Sequence, residues 1–596
     1  MDTKENKIST LGFFNYFKKL VGWHIYGYII LNFLVGLMDG LGLTMFIPVI
    51  KLATQQGQND DENLGKFQII ADGFHWVGLD FNLTNAVLLI VFIFIIKAAI
   101  VYAKLIYFNK LRLSSMRKVR LKLADALYHL SYEGFTKMDS GKLQNSMTQE
   151  AVRVIAAMIG YFTSIQNIVM LTTYVGLAVV LDWQFAILVA IGGILSNFFY
   201  KYLNHFVREK SRQLTAIGED FFGHLVQAIH NFKYLKATNS FNKYIGRLKK
   251  NILLGEEVTY KMNKITSLSE ALREPSIMII ICAVLMIQIQ VLHKDIGPIL
   301  ASLLMFYRSL GYLVSMQNSY MSFISSSAGV EAIEKLFSQL DHYSEKEYAE
   351  SIEDINTISA KNITLNYGTK TILDHINLTI KKNTSVAFVG ESGAGKTTLA
   401  NIICGLQAPT SGTLMVNDKS IYHTNLASYR NKIGYITQEP VIFDDTLFNN
   451  VTFWAPKTEE NLERFWRTLE MVSLRAFALD LENKEDAPLG NNGILISGGQ
   501  KQRISIAREL YKDIELLIMD EATSALDSET ERFIKENIDM LHGKLTMVII
   551  AHRLSTIKNV DHICLLEKGK IINSGQFQEL VDQSDKFKRM VALQEI

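Results

Sequence analysis

The stretch SVAFVGESGAGKTTLANIICGL occupies residues 385–406. It begins with an apolar run, Ser385–Val389, and ends with Thr398–Leu406, whose composition predicts a helix. The loop between them, Gly390–Thr397, has the spacing G-x-x-x-x-G-K-[ST]. A strand before this loop and a helix after it form the context in which the spacing binds phosphate. The sequence therefore predicts a P-loop in an α/β domain.

Each residue type in this loop has a physical task. Glycines let backbone N–H groups turn inward around phosphate oxygens, and the N-terminus of the following helix adds positive potential. Lys396 brings a point charge to the β- and γ-phosphates, and Thr397 brings a hydroxyl for Mg²⁺. The nucleotide-contacting residues expected in this segment are Gly390, Glu391, Ser392, Gly393, Ala394, Gly395, Lys396, Thr397 and Thr398.

A second apolar strand, predicted at residues 516–519, ends in the acids Asp520 and Glu521. A carboxylate suits Mg²⁺, which prefers hard oxygen ligands and keeps several waters, so Asp520 is a candidate metal ligand. Glu521 is placed to orient an attacking water or to accept its proton. Together with the P-loop, the two acids predict ATP hydrolysis with ATP and Mg²⁺ as cofactors.

The distribution of proline separates the two halves of the chain. None of the seven prolines lies between Ala53 and Glu274, as very long helices require. From about Ile352 onward, short apolar runs alternate with Gly, Asn and Asp, which is typical of an α/β domain. The first half holds six apolar stretches, each near or above the length that crosses a bilayer: Gly27–Ile50, Asn85–Phe108, Met158–Leu181, Trp183–Tyr200, Pro275–Leu292 and Gly297–Val330.

The connections between these spans alternate in length and charge. Those after the second and fourth spans, Asn109–Ala157 and Lys201–Arg273, are long and basic near the span ends, whereas the others are short or acidic. The positive-inside rule then places both termini in the cytoplasm. Each long connection is predicted to be a descending and a returning helix, with turns near Ser140–Glu150 and Asn239–Gly246. The segment Leu11–Trp23 is amphipathic and predicts an interfacial helix.

The composition excludes several classes of protein. The chain of 596 residues is 48% hydrophobic, which is high for a soluble protein of this size, and its formal net charge is +2. A charge this small gives no reason to expect a nucleic-acid partner. The three cysteines lie far apart, so neither a disulfide framework nor a metal site is expected.

The segment ISGGQKQR at residues 496–503 resembles the signature motif of the ATP-binding cassette (ABC) family. The resemblance covers essentially the whole chain and implies an exporter-type half-transporter. Its fold is a six-helix transmembrane domain of the type IV exporter class joined to an α/β P-loop NTPase domain. The expected domains are an N-terminal elbow at 1–24, the transmembrane domain at 25–335, a linker at 336–353 and the ATP-binding cassette at 354–596.

The resemblance also implies roles for residues outside the P-loop. Tyr367 matches the aromatic residue that stacks on adenine, and Gln438 matches the Q-loop glutamine, which senses Mg²⁺ and water. His552 matches the switch histidine that contacts the γ-phosphate. In this family the signature of one subunit covers the ATP of the other, and ATP-driven closure drives alternating access. The implied nucleotide contacts from the signature and the D-loop are Ser497, Gly498, Gly499, Gln500 and Asp527.

Two positions depart from the family pattern. Ile496 stands in place of the usual leucine, and Asn491 stands where relatives usually carry glutamate in the segment that couples ATP closure to the membrane domain. The coupling contacts of this chain are therefore in question. The catalytic set Lys396, Gln438, Glu521 and His552 is intact, which predicts a homodimer with two active ATP sites.

Charged residues inside the spans bear on the substrate, because such charges usually face a cavity or a partner. Lys97 and Arg308 lie too far from the span ends for their charged groups to reach the lipid head groups easily. For Arg273 and Lys104, snorkelling to the head groups explains the charge as well as a place in the cavity does. Cationic side chains suit an anionic head group, and their pattern resembles bacterial flippases of lipid-linked oligosaccharides. We therefore predict that Lys97, Arg273 and Arg308 contact a lipid phosphate or pyrophosphate.

Alternative functions share the same ATPase motifs. A multidrug or peptide exporter would be expected to have a more aromatic and less cationic cavity, and an ATP-gated channel or regulator would not need an intact Glu521 and His552. The six spans exclude a soluble ABC protein, and importers usually carry the two domains on separate chains. Family habit favours a multi-pass protein of a bacterial inner membrane.

Overall fold

The computed structural model describes residues 10–46, 49, 80, 82–181, 183–287, 290, 296–520, 536, 541–551 and 556–594. The chain divides into two compact units. The helical unit comprises Met1–Leu130 and Gly134–Ser344, and the sheet unit comprises Ser131–Glu133 and Glu345–Ile596. The helical unit contains the proline-free stretch between Ala53 and Glu274, apart from Ser131–Glu133.

The helical unit is built from long helices and a few short ones. Every apolar stretch that the sequence predicts to span a membrane falls within or overlaps one of the long helices. The helices are α1 (Thr10–Val21), α2 (His24–Thr44), α3 (Leu83–Tyr128), α4 (Tyr132–Lys137), α5 (Ser140–Asn145), α6 (Ala151–Leu181), α7 (Trp183–His230), α8 (Phe232–Ala237), α9 (Phe241–Ala271), α10 (Arg273–Met286) and α11 (Ile296–His342).

Three helices within the described residues are long and apolar enough to cross a membrane. They are His24–Thr44, Leu83–Tyr128 and Ser140–Gly176, the last joining α5 and α6 through a π-helical turn at Ser146–Glu150. Helices α7, α10 and α11 contain the remaining predicted spans, and many of their side chains lie outside the described residues.

The first predicted cytoplasmic turn lies about ten residues too late, and the second overlaps only the end of the observed turn. Ser140–Glu150 is helical, because Asp139 caps the N-terminus of α5 by accepting a hydrogen bond from Lys142 N at 2.8 Å. The chain reverses earlier, between α3 and α5, around the short helix α4. The second turn likewise lies around α8 and ends at Asn239, whose φ of +52° breaks the helical path.

Helix α1 confirms the predicted N-terminal helix but not its expected contact with lipid. Phe13 and Phe17 are fully buried in the protein, and Phe13 packs edge-on against Phe323 with ring centroids 4.9 Å apart. Lys18 and Lys19 lie on the opposite, exposed side. The apolar face of α1 is therefore occupied by side chains of the helical unit.

Close helix packing in this unit depends on small residues. A Cβ atom on Gly160 of α6 would lie 2.6 Å from the backbone nitrogen of Phe323 on α11, which is closer than real Cβ atoms approach. A polar cluster joins the same helices further along, where Arg153 donates to Ser211 Oγ at 2.6 Å, to Ser325 O at 3.3 Å and to Glu150 Oε2 at 3.0 Å. These contacts fix α6, α7 and α11 against each other.

The end of α11 alters the expected linker. Residues 336–342 belong to this helix, whereas the sequence assigned 336–353 to a linker. Leu336 and Leu340 are 2% and 1% exposed, and burying such side chains favours continuation of the helix. The two units separate at Ser344 and Glu345.

The sheet unit has two sheets and surrounding helices. Its strands are β1 (Thr357–Tyr367), β2 (Lys370–Lys381), β3 (Ser385–Gly390), β4 (Ser411–Val416), β5 (Lys419–Ser420), β6 (Ile433–Ile436), β7 (Leu516–Asp520), β8 (Thr546–Ile550), β9 (His562–Glu567) and β10 (Lys570–Gly575). Its helices are α12 (Lys396–Ile403), α13 (Leu426–Arg430), α14 (Leu447–Thr452), α15 (Glu459–Met471), α16 (Arg475–Asp480), α17 (Gly498–Tyr511), α18 (Phe577–Gln583) and α19 (Asp585–Gln594).

The sheet order brings the predicted functional segments together. The antiparallel sheet has the order β2-β1-β4-β5, and the larger sheet has the order β10-β9-β3-β8-β7-β6. In the larger sheet β6, β7, β8, β3 and β9 are parallel. Strands β3, β7 and β8 are fully buried, as expected of central parallel strands. Their carboxyl ends meet at one edge, where open α/β sheets bind ligands.

Candidate functional site

The P-loop leaves the carboxyl end of β3 in a conformation that requires glycine. Gly390 has φ +151° and Gly395 has φ +102°. A Cβ at Gly390 would lie 2.2 Å from the carbonyl oxygen of Leu566, and one at Gly395 would lie 2.7 Å from the Leu373 side chain. Any larger residue at these two positions would push the loop away from β2 and β9. The loop path thus agrees with the predicted phosphate cradle.

Lys396 is the first residue of α12 and is only 5% exposed. Its Nζ donates to the carbonyl oxygens of Gly390 at 2.9 Å and of Glu391 at 3.1 Å. Both acceptors are neutral groups of the loop itself. The oxygens of a phosphate in the cradle can replace these carbonyl oxygens and accept stronger, charge-assisted hydrogen bonds from Nζ.

Thr397 and Asp520 form the candidate metal-binding pair. Thr397 Oγ1 lies 3.4 Å from Asp520 Oδ1, which brings the start of α12 to the end of β7. Asp520 is 9% exposed. A hydroxyl and a carboxylate at this separation offer hard oxygen ligands of the kind that Mg²⁺ accepts beside water and phosphate. The chemistry of these donors therefore fits the predicted ion.

The sequence did not indicate that Tyr435 lies beside this pair. Tyr435 is on β6, the strand next to β7, and burial together with the negative charge of Asp520 raises its pKa well above the ordinary value. A tyrosine that stays protonated can donate a hydrogen bond to the carboxylate. Nothing in the spacing of the sequence distinguishes Tyr435 from a core aromatic residue.

The other members of the P-loop segment follow the predicted path. Ala394 N donates to Glu391 O at 3.2 Å, and Leu399 N donates to Gly395 O at 2.9 Å, so the loop continues directly into α12. Ser392 and Gly393 are exposed, and Thr398 lies in the first turn of the helix. The side chain of Glu391 points away from the cradle to Lys586, 2.8 Å from its Oε1.

The signature segment begins α17 with a capping box. Ser497 Oγ accepts from Gln500 N at 3.3 Å, and Gln500 Oε1 accepts from Ser497 N at 2.8 Å. Ser497 and Gly498 are exposed, with Gly499 beside them. The N-terminus of a helix binds anions well, so this exposed end suits the phosphate of a nucleotide brought by another subunit.

Arg508 on α17 links the signature helix to the segment after Gln438, a role that the sequence did not reveal. The residue is 4% exposed, and its guanidinium donates to Val441 O at 2.7 Å and to Asn450 O at 2.6 Å. Gln438 itself is exposed, two residues after β6 ends. Arg508 therefore couples the position of the Q-loop segment to that of the signature helix.

Tyr367 lies at the end of β1 and is 53% exposed. Its hydroxyl donates to Gln407 Oε1 at 2.8 Å, which fixes the direction of the ring. An exposed aromatic face held in this way can stack on a nucleotide base. The predicted residues Glu521, Asp527 and His552 lie outside the described residues.

The two residues that depart from the family pattern lie in different surroundings. Ile496 packs partly against the core of the sheet unit, so the substitution of isoleucine for leucine is accommodated by apolar contact. Asn491 is exposed, and its neighbour Asn492 accepts a hydrogen bond from Lys501 Nζ at 2.7 Å. Within the sheet unit Asn491 is thus open to solvent.

The predicted substrate cations of the helical unit differ from one another. Lys97 on α3 forms an ion pair with Asp39 on α2, and Asp39 also accepts a hydrogen bond from the Tyr174 hydroxyl. No side-chain hydrogen bond or ion pair of Arg308 is found among the described residues, and the residue is exposed on α11. Arg273 is the first residue of α10, and its side chain lies outside the described part of the chain.

Comparisons with known proteins agree with both units. A family model for the ABC transporter transmembrane region matches residues 25–311, and one for the ABC transporter matches residues 373–524. The ATP-dependent lipid A-core flippase of Francisella tularensis subsp. tularensis is 30% identical over 488 residues, 79% of each chain. The flippase of the same name from Ralstonia nicotianae is 29% identical over 484 residues, 78% of this chain and 80% of its own.

A solved structure shares the fold over nearly the whole chain. The structure of a bacterial Atm1-family ABC exporter with ATP bound superposes with a TM-score of 0.80, covering 96% of this chain and 98% of that one. Its sequence is 18% identical. At this identity the similarity concerns the fold, which includes a helical membrane domain and an ATP-binding domain.

Proposed function

Because the chain belongs to the ABC transporter family, as a half-transporter of the exporter type, we propose that it flips an anionic lipid across a membrane. The chain is an ATPase whose hydrolysis is coupled to transmembrane movement. A half-transporter carries one membrane domain and one cassette, so it acts as a dimer. We propose a homodimer, since every catalytic residue type is present in the sequence.

For ATP hydrolysis, we propose that Lys396 and the P-loop amides bind the phosphates and that Thr397, Asp520 and Gln438 hold Mg²⁺ with water. Mg²⁺ when bound neutralises charge on the β- and γ-phosphates. Glu521 orients the attacking water and His552 contacts the γ-phosphate. Ser497 and Gly499 of one subunit close over the nucleotide of the other, as the exposed N-terminus of α17 supports.

The proposal of an anionic lipid rests on Arg308. A cation in a spanning helix without an ion-pair partner among the described residues is costly unless it meets an anionic ligand. Arg binds phosphate through two parallel hydrogen bonds. The names of the curated relatives, lipid A-core flippases, support a lipid carrying phosphate as that ligand.

Lys97 has a secondary role in this proposal. Its charge is already compensated by Asp39, so it contacts a lipid phosphate only if that phosphate displaces the carboxylate. Arg273 lies at the start of the apolar helix α10, where a cation suits the head-group region. We also propose cytoplasmic termini and a bacterial inner membrane as the location, which single-cysteine labelling from either side of spheroplasts would check.

The test measures ATPase activity of the purified protein in nanodiscs against lipid A, a lipid-linked oligosaccharide, neutral lipids and drugs. We expect lipids with phosphate to raise turnover, and Arg308→Ala to abolish this increase while basal turnover stays. Arg112→Ala, which removes an exposed cation of α3 beyond the predicted span, is the control. Stimulation of wild type by drugs alone, or an unchanged response of Arg308→Ala, would disprove the proposal.

A further inference from the structure

An open cavity of about 710 Å³ lies in the helical unit between the α9–α10 junction and the middle of α11. Its polar lining comes from Glu270 and Glu274 on one side and from Ser315, Asn318 and Ser319 on the other. The volume lies within the range of about 300–1,000 Å³ of ligand pockets. Most such pockets are lined by apolar groups, whereas this one is lined chiefly by hydrogen-bonding groups.

The carboxylates of this cavity have no basic partner within the described part of the chain. Neither the Glu270 nor the Glu274 carboxylate forms an ion pair or a hydrogen bond with a described residue, and both residues are exposed. Two carboxylates offer four acceptor oxygens and no donor when ionised. They therefore suit a ligand that carries several hydrogen-bond donors.

The opposite wall of the cavity is held in place by buried neighbours. Asn318 Oδ1 accepts from Ser269 Oγ at 2.6 Å, so its amide N–H groups are directed elsewhere. Ser319 Oγ donates to Ser315 O at 2.7 Å and accepts from Asn167 Nδ2 at 3.0 Å. Fixed amide and hydroxyl groups opposite two carboxylates form a polar pocket that can bind hydroxyl or ammonium groups.

The position of the cavity along the chain matches the level of lipid head groups. Helix α9 is rich in Lys and Glu, whereas α10 continues as the apolar run IMIIICAVLM from Ile277. The junction at Leu272 therefore marks the change from an aqueous to a lipid environment. With the cytoplasmic termini proposed above, this is the cytoplasmic leaflet, from which a flipped lipid enters.

Arg308 and Ser315 are seven residues apart on α11 and so lie on one face of the helix, about 10 Å from each other along its axis. Arg308 is on the membrane side of the cavity, because α11 runs from the predicted sixth span toward its cytoplasmic end. In a glycolipid the phosphate lies between the acyl tails and the sugars. A glycolipid aligned along α11 thus has its tails beside the span, its phosphate beside Arg308 and its sugars at the cavity.

We propose that this cavity binds the hydroxyl- or ammonium-bearing part of the transported lipid head group while Arg308 binds its phosphate. The inference rests on the proposed lipid flipping and assigns a second recognition element to it. It predicts selectivity for phosphate lipids whose head groups are rich in hydrogen-bond donors over lipids that carry phosphate alone.

The experiment compares three lipid probes in nanodiscs: lipid A, phosphatidylethanolamine and phosphatidic acid. For wild type we expect lipid A and phosphatidylethanolamine to reach half-maximal ATPase stimulation at lower concentration than phosphatidic acid. In the double variant Glu270→Gln/Glu274→Gln, the half-maximal concentrations for lipid A and phosphatidylethanolamine should rise about tenfold, because charge-assisted hydrogen bonds are lost. The half-maximal concentration for phosphatidic acid should stay unchanged. A rise for lipid A alone identifies sugar hydroxyls as the ligand, a rise for phosphatidylethanolamine alone identifies the ammonium group, and a rise for both shows that the carboxylates accept hydrogen bonds from either kind of donor.

Two further variants make the result decisive. Glu256→Gln removes an exposed carboxylate of α9 away from the cavity and should change none of the values. Ser315→Phe fills the cavity without removing a charge. It should likewise raise the half-maximal concentrations for lipid A and phosphatidylethanolamine and leave that for phosphatidic acid unchanged. If no lipid stimulates wild type, the proposed function and this inference both fail. If lipids stimulate wild type but the glutamine variant keeps the wild-type half-maximal concentrations for lipid A and phosphatidylethanolamine, only the cavity assignment fails.

Discussion

Lys396 of the sheet unit and Lys97 of the helical unit are both largely withdrawn from solvent, yet they are held in opposite ways. The Lys396 ammonium donates to two backbone carbonyl oxygens, whereas the Lys97 ammonium meets the Asp39 carboxylate. Carbonyl groups satisfy hydrogen bonds without cancelling the charge. A carboxylate does cancel the ammonium charge. Burying the two charged groups costs desolvation energy, which their attraction offsets only while both partners are present.

This difference separates a lysine that awaits an anionic ligand from one that stabilises a helix pair. Lys396 lies in the phosphate-binding loop and already donates to two of its carbonyl oxygens, which the oxygens of a bound phosphate can replace as charged acceptors. Lys97 would have to lose a full ion pair to bind the same group, and Tyr174 reinforces that pair by donating to Asp39. Arg308 differs from Lys97 in this respect, because no carboxylate partner of its side chain is found among the described residues.

The largest effect is expected when the carbonyl-held lysine is removed. Lys396→Ala should lower ATPase turnover by about 100-fold or more, because positioned donors at a reacting phosphate contribute on that scale. Steady-state ATPase and nucleotide-binding measurements check this. Lys361→Ala removes an exposed lysine of β1 in the same unit and should leave turnover unchanged. Near-normal turnover in Lys396→Ala would contradict the assignment of the P-loop.

Breaking the ion pair of the helical unit should chiefly affect stability. Asp39→Asn or Lys97→Met alone should cost about 3 kcal/mol, because each leaves one charge buried without its partner. The double variant should cost less than either single one. Thermal unfolding in detergent of all four proteins measures the coupling between the two residues. Additive losses would show that the pair is unimportant and that Lys97 is available to a ligand.

A smaller effect is expected when Ser497, the residue that caps the signature helix α17, is changed. Ser497→Ala should cost about 1 kcal/mol in stability and should also lower ATPase activity, because the hydroxyl faces a nucleotide in the dimer. Thr458→Ala is the matched control, since Thr458 caps α15 by accepting from Asn461 N at 3.3 Å. It should cost similar stability and leave turnover unchanged. Equal activity of both variants would remove Ser497 from the nucleotide site.

The smallest effect is expected at the exposed ion pair of the P-loop. Glu391→Gln makes the same chemical change as Asp39→Asn, but it affects an exposed carboxylate that Lys586 contacts at 2.8 Å. The hydrogen bond and charge of Lys586 lower the pKa of Glu391. The ion pair therefore stabilises the folded protein at pH values above the ordinary glutamate pKa of about 4.3. This stabilisation is lost as the pH falls through the lower pKa that Glu391 has in the folded protein.

The unfolding temperature of Glu391→Gln at neutral pH should accordingly lie close to that of wild type, with ATPase unchanged. The difference between the two proteins should shrink further as the pH is lowered through the range in which Glu391 protonates. A large loss of stability or of turnover at neutral pH would show that an exposed pair can act like the buried pair of the helical unit.

Several elements followed from local patterns in the sequence. Strand β7 at Leu516–Asp520 begins at the predicted residue, and β3 and α12 lie where the P-loop motif required a strand and a helix. The spans were visible because apolar length alone decides them. The cytoplasmic turns were misplaced, because the helical pattern continues beyond the turn and the Asp139 cap at the start of α5 was not recognised.

The sequence by itself determined the ATP chemistry, because the P-loop, the acidic strand end and the signature each consist of neighbouring residues whose spacing is their geometry. Only the tertiary structure decided that Asp39 meets Lys97, 58 residues away, and that Arg508 binds Val441, 67 residues away. It likewise formed the polar cavity beside Glu270 and Asn318. Such contacts depend on the rotation and register of packed helices, which hydrophobic periodicity leaves open.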